Sequence, residues 1–138
     1  MKPIFKNILA VIIGFIVGNI VNYHLFHYGF TVFPIDADIN DMEALAKVFP
    51  TLSLKYYIFP FLAHALGTFI GTFLVALIAG THKMKLALGV GVTFLIIGII
   101  AAIIVPTPLW YKFVDIIFGY IPMAWIGGKI AIKLSTRK

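Results

Sequence analysis

The sequence predicts an all-α membrane protein, a bundle of four transmembrane helices, and three observations support this prediction. The 138 residues are 62% hydrophobic and 12% charged, against about 45–50% and about 25% in a typical soluble domain. Four apolar runs each reach the length of about 20 residues that a helix needs to cross a bilayer core about 30 Å thick. Most charged residues lie between these runs or at their ends.

The predicted helices cover about residues 5–23, 58–80, 86–105 and 110–132, within one transmembrane domain that spans residues 1–138. Open strands cannot replace these helices, because their backbone groups would stay unsatisfied in lipid. The runs are also too long and too uniformly apolar for barrel strands, which alternate polar and apolar residues. No small-x-small cleavage site follows the first run, which favours a retained helix over a signal peptide.

Basic residues predict the orientation of the four helices. Eight of the eleven lie near the N-terminus, in the second connection or near the C-terminus: Lys2, Lys6, Lys83, Lys85, Lys129, Lys133, Arg137 and Lys138. Loops rich in lysine and arginine stay in the cytoplasm, so both termini are predicted to be cytoplasmic. Basic residues at the ends of apolar helices suit an anionic leaflet, and no nucleic-acid partner is predicted.

The first external connection, about residues 24–57, contains a predicted short helix. Asn40 is the expected N-cap, and Glu43 follows three residues later, as in a capping box. Apolar residues then recur at helical spacing: Met42, Leu45, Val48 and Phe49. Pro50 ends the helix. The favoured interpretation is an interfacial helix on the outer leaflet, and the alternative is a lid or docking surface over the bundle.

Small residues predict where the helices pack. Close approach of backbones must hold the helices together, because lipid gives them no hydrophobic reason to associate. The predicted packing positions are glycines in the first three helices: Gly14, Gly18, Gly67, Gly71, Gly91 and Gly98. The first four form two small-xxx-small motifs. Packing within the chain is the favoured interpretation, and self-association is the alternative.

Polar residues at a similar depth form the main candidate site. At about 1.5 Å per residue, His64 and Asp115 each lie about one turn inside their helices, and Asn22 and Asn19 lie one to two turns inside the first. Ionisable groups at this depth usually face the bundle interior or water. The cluster, with Lys112 above Asp115, would relay protons, hold a cation or bind a polar substrate group. The favoured alternative is structural: Asp115 orients His64 or turns toward Lys112.

Other motifs carry weaker signals. The chain has no cysteine, which excludes disulfides, thiol catalysis and cysteine-based metal sites. His24 and His27 have a spacing that can share a metal, but a third fixed ligand is missing, so no metal and no cofactor is predicted. Pro122, close to Gly119, should kink the fourth helix. A fit to neighbouring helices is favoured over a cavity as the reason for the kink.

Several stretches resemble a group of small, uncharacterised four-helix integral membrane proteins of the Bacteroidota type. They are Phe59–Thr68, His82–Lys85, Pro108–Trp110 followed by Asp115, and Tyr120–Trp125. The resemblance covers a little over half of the chain, from Phe59 to about Lys133. It implies a four-helix protein of the inner membrane. It carries no activity, cofactor or site residue that could be transferred.

No catalytic or nucleotide-binding motif stands out, so a non-enzymatic role is predicted. The first hypothesis is a small polytopic protein of the bacterial inner membrane that serves as an accessory or scaffold subunit. Its partners would be the lipid bilayer and either a membrane protein or a second copy of the chain. The alternative is a small transporter or channel component that uses the outer-leaflet His/Asp/Asn cluster. A membrane enzyme acting on lipid or isoprenoid ranks last.

Overall fold

The computed structural model describes residues 1–137, and 82% of the chain is helical, with no strand in this range. The helices are α1 (Pro3–Val32), α2 (Met42–Val48), α3 (Ile58–Ile78), α4 (Lys83–Ile104), α5 (Leu109–Phe118) and α6 (Ile121–Thr136). Two short 3₁₀ turns, Phe49–Thr51 and Leu54–Tyr57, lead from α2 into α3. Lys138, one of the basic residues used to predict orientation, lies outside the described residues.

The four apolar stretches expected from the sequence are present. They are long and apolar enough to cross a membrane: Pro3–Val32, Leu54–Ile78, Lys83–Ile104 and Leu109–Thr136. Their outward faces carry mainly isoleucine, leucine and phenylalanine, which suggests a membrane protein. The end of the bundle that carries α2 is called the α2 end below. The opposite end, with the α3–α4 turn, is called the basic end.

Helix α1 is longer than predicted, since it continues past Tyr23 to Val32. The polar residues around His24 suggested an end there, but polar side chains alone do not break a helix. The first residue that breaks it is Pro34, which disfavours helical geometry at Phe33. The Phe33 amide still donates to the Gly29 carbonyl oxygen at 2.8 Å. The first connection is therefore shorter than residues 24–57.

Helix α2 forms where the sequence predicts a short helix, but its N-cap is Asp41 and not Asn40. The Asp41 carboxylate accepts hydrogen bonds from the backbone N–H groups of Glu43 at 2.9 Å and Ala44 at 3.3 Å. A carboxylate suits the positive end of a helix dipole. Asn40 instead bonds through its side chain to His27, at 3.1 Å. The predicted cap was therefore wrong by one residue.

The apolar face of α2 packs onto the protein. Leu45 and Phe49 are buried and lie in one cluster with Phe30, Tyr57 and Tyr111, drawn from α1, the second 3₁₀ turn and α5. Tyr57 also donates its hydroxyl to the Phe49 carbonyl oxygen. These contacts attach Leu45 of α2 and Phe49 of the following 3₁₀ turn to the end of the bundle.

Glycines bring α1 and α3 into backbone contact. A Cβ atom on Gly18 would lie 2.8 Å from the Gly67 carbonyl oxygen, and one on Gly71 would lie 2.7 Å from that of Gly14. Neither distance leaves room for a side chain. The two small-xxx-small motifs therefore face each other within one chain, which is the packing that the sequence favoured.

The remaining predicted packing glycines contact the fourth span. Gly91 of α4 packs against Ala124 of α6, and Gly98 of α4 packs against the ring of Tyr120. Helix α3 lies at the centre of the bundle, where it contacts α1, α4 and α6. At the basic end, Asn7 of α1 accepts from the backbone N–H groups of Gly80 and Thr81 at 3.0 and 3.1 Å. This contact fixes α1 to the α3–α4 turn.

The fourth span consists of two helices and not one continuous helix over residues 110–132. Helix α5 ends where the Gly119 amide donates to the Asp115 carbonyl oxygen at 2.8 Å. Tyr120 then leaves helical geometry, with φ −123° and ψ −76°. Pro122 lies in the first turn of α6, where its missing N–H costs nothing. The sequence predicted a kink at this place, and the chain makes a full break.

We expect Gly71→Ala to destabilise the protein by about 1–3 kcal/mol, because the added methyl group overpacks the α1–α3 contact. The matched control is Gly89→Ala in α4, whose Cβ would have nothing within 4 Å and which should be neutral or slightly stabilising. Thermal unfolding of both variants in one detergent measures the difference. Equal midpoints for the two variants would contradict the packing described.

Candidate functional site

A cavity of about 380 Å³ lies at the α2 end of the bundle. One wall is a face of α1, at helical spacing: Asn19, Asn22, Tyr23, Phe26 and His27. The opposite wall is a face of α4: Phe94, Ile97, Gly98, Ala101, Ala102 and Val105. Pro60 and His64 of α3 and residues of α5 also line the cavity. The walls are therefore mostly apolar, with a polar strip along α1.

Phe94 marks the lower limit of the cavity. Its ring stacks on Phe15 of α1, with the ring centroids 5.4 Å apart, and it lies where Gly18 carries no side chain. Above this contact, α1 and α4 face each other across the cavity. Leu45 and Phe49, from α2 and the turn that follows it, lie in the lining at the other end. Helix α2 therefore covers the cavity, and Phe94 closes it below.

His64 and Asp115 form an ion-pair geometry in the cavity wall. The His64 Nδ1 atom lies 2.8 Å from Asp115 Oδ1 and 2.9 Å from Oδ2, so Nδ1–H donates to the carboxylate. The Asp115 side chain is 6% exposed and that of His64 is 21% exposed. The Nε2 atom of His64 makes no hydrogen bond to another residue in the range 1–137. The buried carboxylate therefore fixes the ring and leaves one ring nitrogen for a ligand or a proton.

Tyr120 completes this group from the break between α5 and α6. Its ring stacks on His64, with a centroid distance of 5.7 Å, and its hydroxyl donates to Asp115 Oδ2 at 3.4 Å. In a continuous helix, residues five apart point about 140° away from each other. The break at Gly119 and Tyr120 removes this restriction. It allows Asp115 and Tyr120 to face the same histidine.

The structure brings the five predicted polar residues to one cavity: His64, Asp115, Asn22, Asn19 and Lys112. The Asn19 amide donates to the Phe15 carbonyl oxygen at 2.8 Å, so part of its hydrogen-bonding capacity is used within α1. Lys112 lines the cavity but makes no ion pair with Asp115, whose ion-pair partner among residues 1–137 is His64. Asp115 orients His64, as the structural interpretation expected. The two side chains also line a cavity, which the functional interpretation required.

Three residues of the site were missed from the sequence. His27 was missed because α1 was expected to end before it; its Nδ1 lies 2.8 Å from the Tyr23 carbonyl oxygen. Tyr111 was assigned to an aromatic belt, yet it is 6% exposed and lines the cavity. Its hydroxyl has no hydrogen-bond partner in the described part of the chain. Tyr120 was placed within a helix, although Pro122 two residues later signals a helix start.

The described residues contain no group of three His, Asp or Glu side chains that could hold a metal ion. His27 bonds to Tyr23 and Asn40, and its ring lies against that of Tyr23. The chemistry that the cavity offers is therefore hydrogen bonding, proton exchange at His64 and charge compensation by Asp115. These functions suit the recognition of a small molecule that has both polar and apolar parts.

Comparison with known proteins gives no further guidance. No protein-family model matches the chain, no curated protein matches it, and no solved structure matches it. The resemblance of the sequence to small Bacteroidota-type membrane proteins therefore stays a prediction.

We expect His64→Ala to destabilise the protein by about 3–5 kcal/mol, because it leaves the Asp115 carboxylate buried without its partner. Adding Asp115→Ala should restore part of that loss, since the unpaired charge is then gone. Thermal unfolding of the two single variants and the double variant measures the coupling. A double variant whose loss equals the sum of the two single losses would show that the two side chains are not energetically coupled.

Proposed function

We propose that this chain is a multi-pass protein of the bacterial inner membrane with both termini in the cytoplasm. We further propose that the cavity under α2 opens toward the outer side and binds a small amphipathic molecule, in a small transporter or a ligand-binding component of one. One observation carries the proposal: the polar residues predicted to share a depth line a single cavity, with the His64–Asp115 pair in its wall.

The composition of the lining supports an amphipathic ligand. Pockets for small molecules are mostly apolar, with a few polar groups that fix the orientation of the ligand. Ile97, Ala101 and Val105 supply an apolar wall, and His64 with Asp115 supplies the polar contact. Helix α2 covers this space through the buried side chains of Leu45 and Phe49, so a lid is already in place. The lid and the pocket together favour binding over a purely structural role.

The first hypothesis, an accessory or scaffold subunit, loses part of its motivation. It was motivated by the ridges of small residues, the short cytoplasmic parts and the lack of a catalytic set. In the structure, Gly14 and Gly18 pack on α3, and Gly91 and Gly98 pack on the fourth span. These positions are therefore already occupied within the chain. Co-purification of a partner protein in mild detergent remains the test of this second candidate function.

The orientation is testable because the chain has no cysteine, so each introduced cysteine reports on one site. We expect Ser53→Cys, exposed in the α2–α3 connection, to react with a membrane-impermeant maleimide added to intact spheroplasts. Arg137→Cys, exposed near the C-terminus, should react only after the membrane is permeabilised. The reverse pattern would overturn the proposed topology.

We expect Ala101→Phe to weaken ligand binding strongly, because the added ring takes up part of the cavity. The matched control is Ile100→Phe on the same helix, where the side chain is exposed on the outside of the bundle. Both variants and the parent chain, reconstituted in lipid nanodiscs, are screened for thermal stabilisation by small amphipathic compounds. A ligand that binds only the folded state raises the unfolding temperature. Equal stabilisation of the parent chain and Ala101→Phe would refute binding in this cavity.

A further inference from the structure

The charges around the cavity indicate which ligands it accepts. Asp115 is 4% exposed, and a desolvated carboxylate needs a compensating positive charge. Besides Asp115, ionisable side chains reach the lining from four places: His64 on α3, Tyr111 and Lys112 on α5, Tyr120 at the break, and Tyr23 and His27 on α1. The lining residues of α4 and α2 have no ionisable side chains. Compensation at the carboxylate must therefore come from α1, α3, α5 or a ligand.

His64 is the basic group that directly contacts the carboxylate. With a neutral imidazole, the pair carries one negative charge, and with a protonated imidazole it carries none. Lys112 makes no ion pair with Asp115, and His27 is already engaged by Tyr23 and Asn40. The negative charge of the pair is thus cancelled either by a proton on His64 or by a positive charge that enters the cavity.

We propose that the cavity binds hydrophobic organic cations and releases the His64 proton in exchange. The inference rests on the proposed function, since it requires the cavity to accept a ligand. On binding, the imidazolium of His64 gives its Nε2 proton to water in the cavity. The Nδ1–H group keeps its hydrogen bond to the Asp115 carboxylate. The positive charge of the ligand takes the place of that proton. One positive charge enters and one leaves, so the total charge of the cavity stays constant.

The walls of the cavity suit the rest of such a cation. The Tyr111 and Tyr120 side chains line the cavity on the same side as the ion pair. The Ile97 and Val105 side chains and the Phe94 ring provide apolar contact with organic groups. An anion at the same depth would lie next to the Asp115 carboxylate. This repulsion selects cations over anions.

The test compares probes of similar shape and different charge: tetraphenylphosphonium, tetraphenylborate and the neutral triphenylmethanol. Binding of each probe is measured with the full chain in nanodiscs and with Ala101→Phe in nanodiscs. The difference between the two signals removes the contribution of probe that dissolves in the lipid. Only the phosphonium should bind. Its affinity should be lower at pH 5.5 than at pH 8, because a proton bound to His64 competes with the cation. In weak buffer, a pH dye should report proton release on binding.

Three variants separate the roles of the charged groups. Asp115→Asn should lose phosphonium binding at both pH values. His64→Gln keeps a hydrogen-bond donor for Asp115 but cannot titrate, so it should bind at both pH values with equal affinity. Lys112→Gln should bind the cation several-fold more tightly, because it removes a positive charge from the lining. These last two variants keep the proposal testable even where Asp115→Asn does not fold.

The outcomes distinguish the proposed function, ligand binding in the cavity, from the further proposal of cation binding with proton exchange. Binding of tetraphenylborate or triphenylmethanol without the phosphonium leaves the proposed function standing and overturns cation selectivity. Weaker phosphonium binding by Lys112→Gln than by the parent chain would also overturn cation selectivity. Persistence of the pH dependence in His64→Gln would assign the proton to another group and end the exchange mechanism. Absence of binding by all three probes, together with no compound that distinguishes the parent chain from Ala101→Phe, overturns both proposals.

Discussion

The backbone contact between α1 and α3 is the constraint on which the other features depend. Gly14 and Gly18 pack directly against Gly67 and Gly71, which is a close approach that side chains would prevent. The contact leaves a notch on the side that faces α4, and Phe94 fills it. Beyond Phe94, α1 and α4 line opposite sides of an open space. The cavity therefore exists because the helices pack tightly at the level of Phe94, whereas α1 and α4 stay apart between Phe94 and the α2 end.

A buried carboxylate imposes the second constraint. Asp115 lies in an apolar helix, and the cost of its desolvation requires a donor from a neighbouring element. His64 provides it, and Tyr120 can approach only because the fourth span breaks between α5 and α6. The break is thus part of the construction of the site. A straight helix would have turned either the aspartate or the tyrosine away from the histidine.

The sequence predicts the features that depend on composition and on depth. The four spans follow from hydrophobicity, the glycines that pack within the chain follow from their spacing, and the shared level of His64 and Asp115 follows from the rise per residue. It does not predict where α1 ends, because polar residues at a bilayer boundary are compatible with helix and with loop. It also leaves the direction of side chains open. Only the packed bundle shows that Tyr111 and His27 face the cavity, since their sequence context fits a surface equally well.

The length of α1 affects the depth in the membrane at which the cavity would meet its ligand. Its 30 residues span about 45 Å, whereas the hydrocarbon core of a bilayer measures about 30 Å. In a membrane, the last turns of an upright α1 would extend into the headgroup layer and carry the region around α2 with them. Amphipathic molecules accumulate in that layer, at concentrations well above those in the surrounding water. The bilayer would then act as a reservoir, and a pocket of weak intrinsic affinity would be filled at low aqueous ligand concentration.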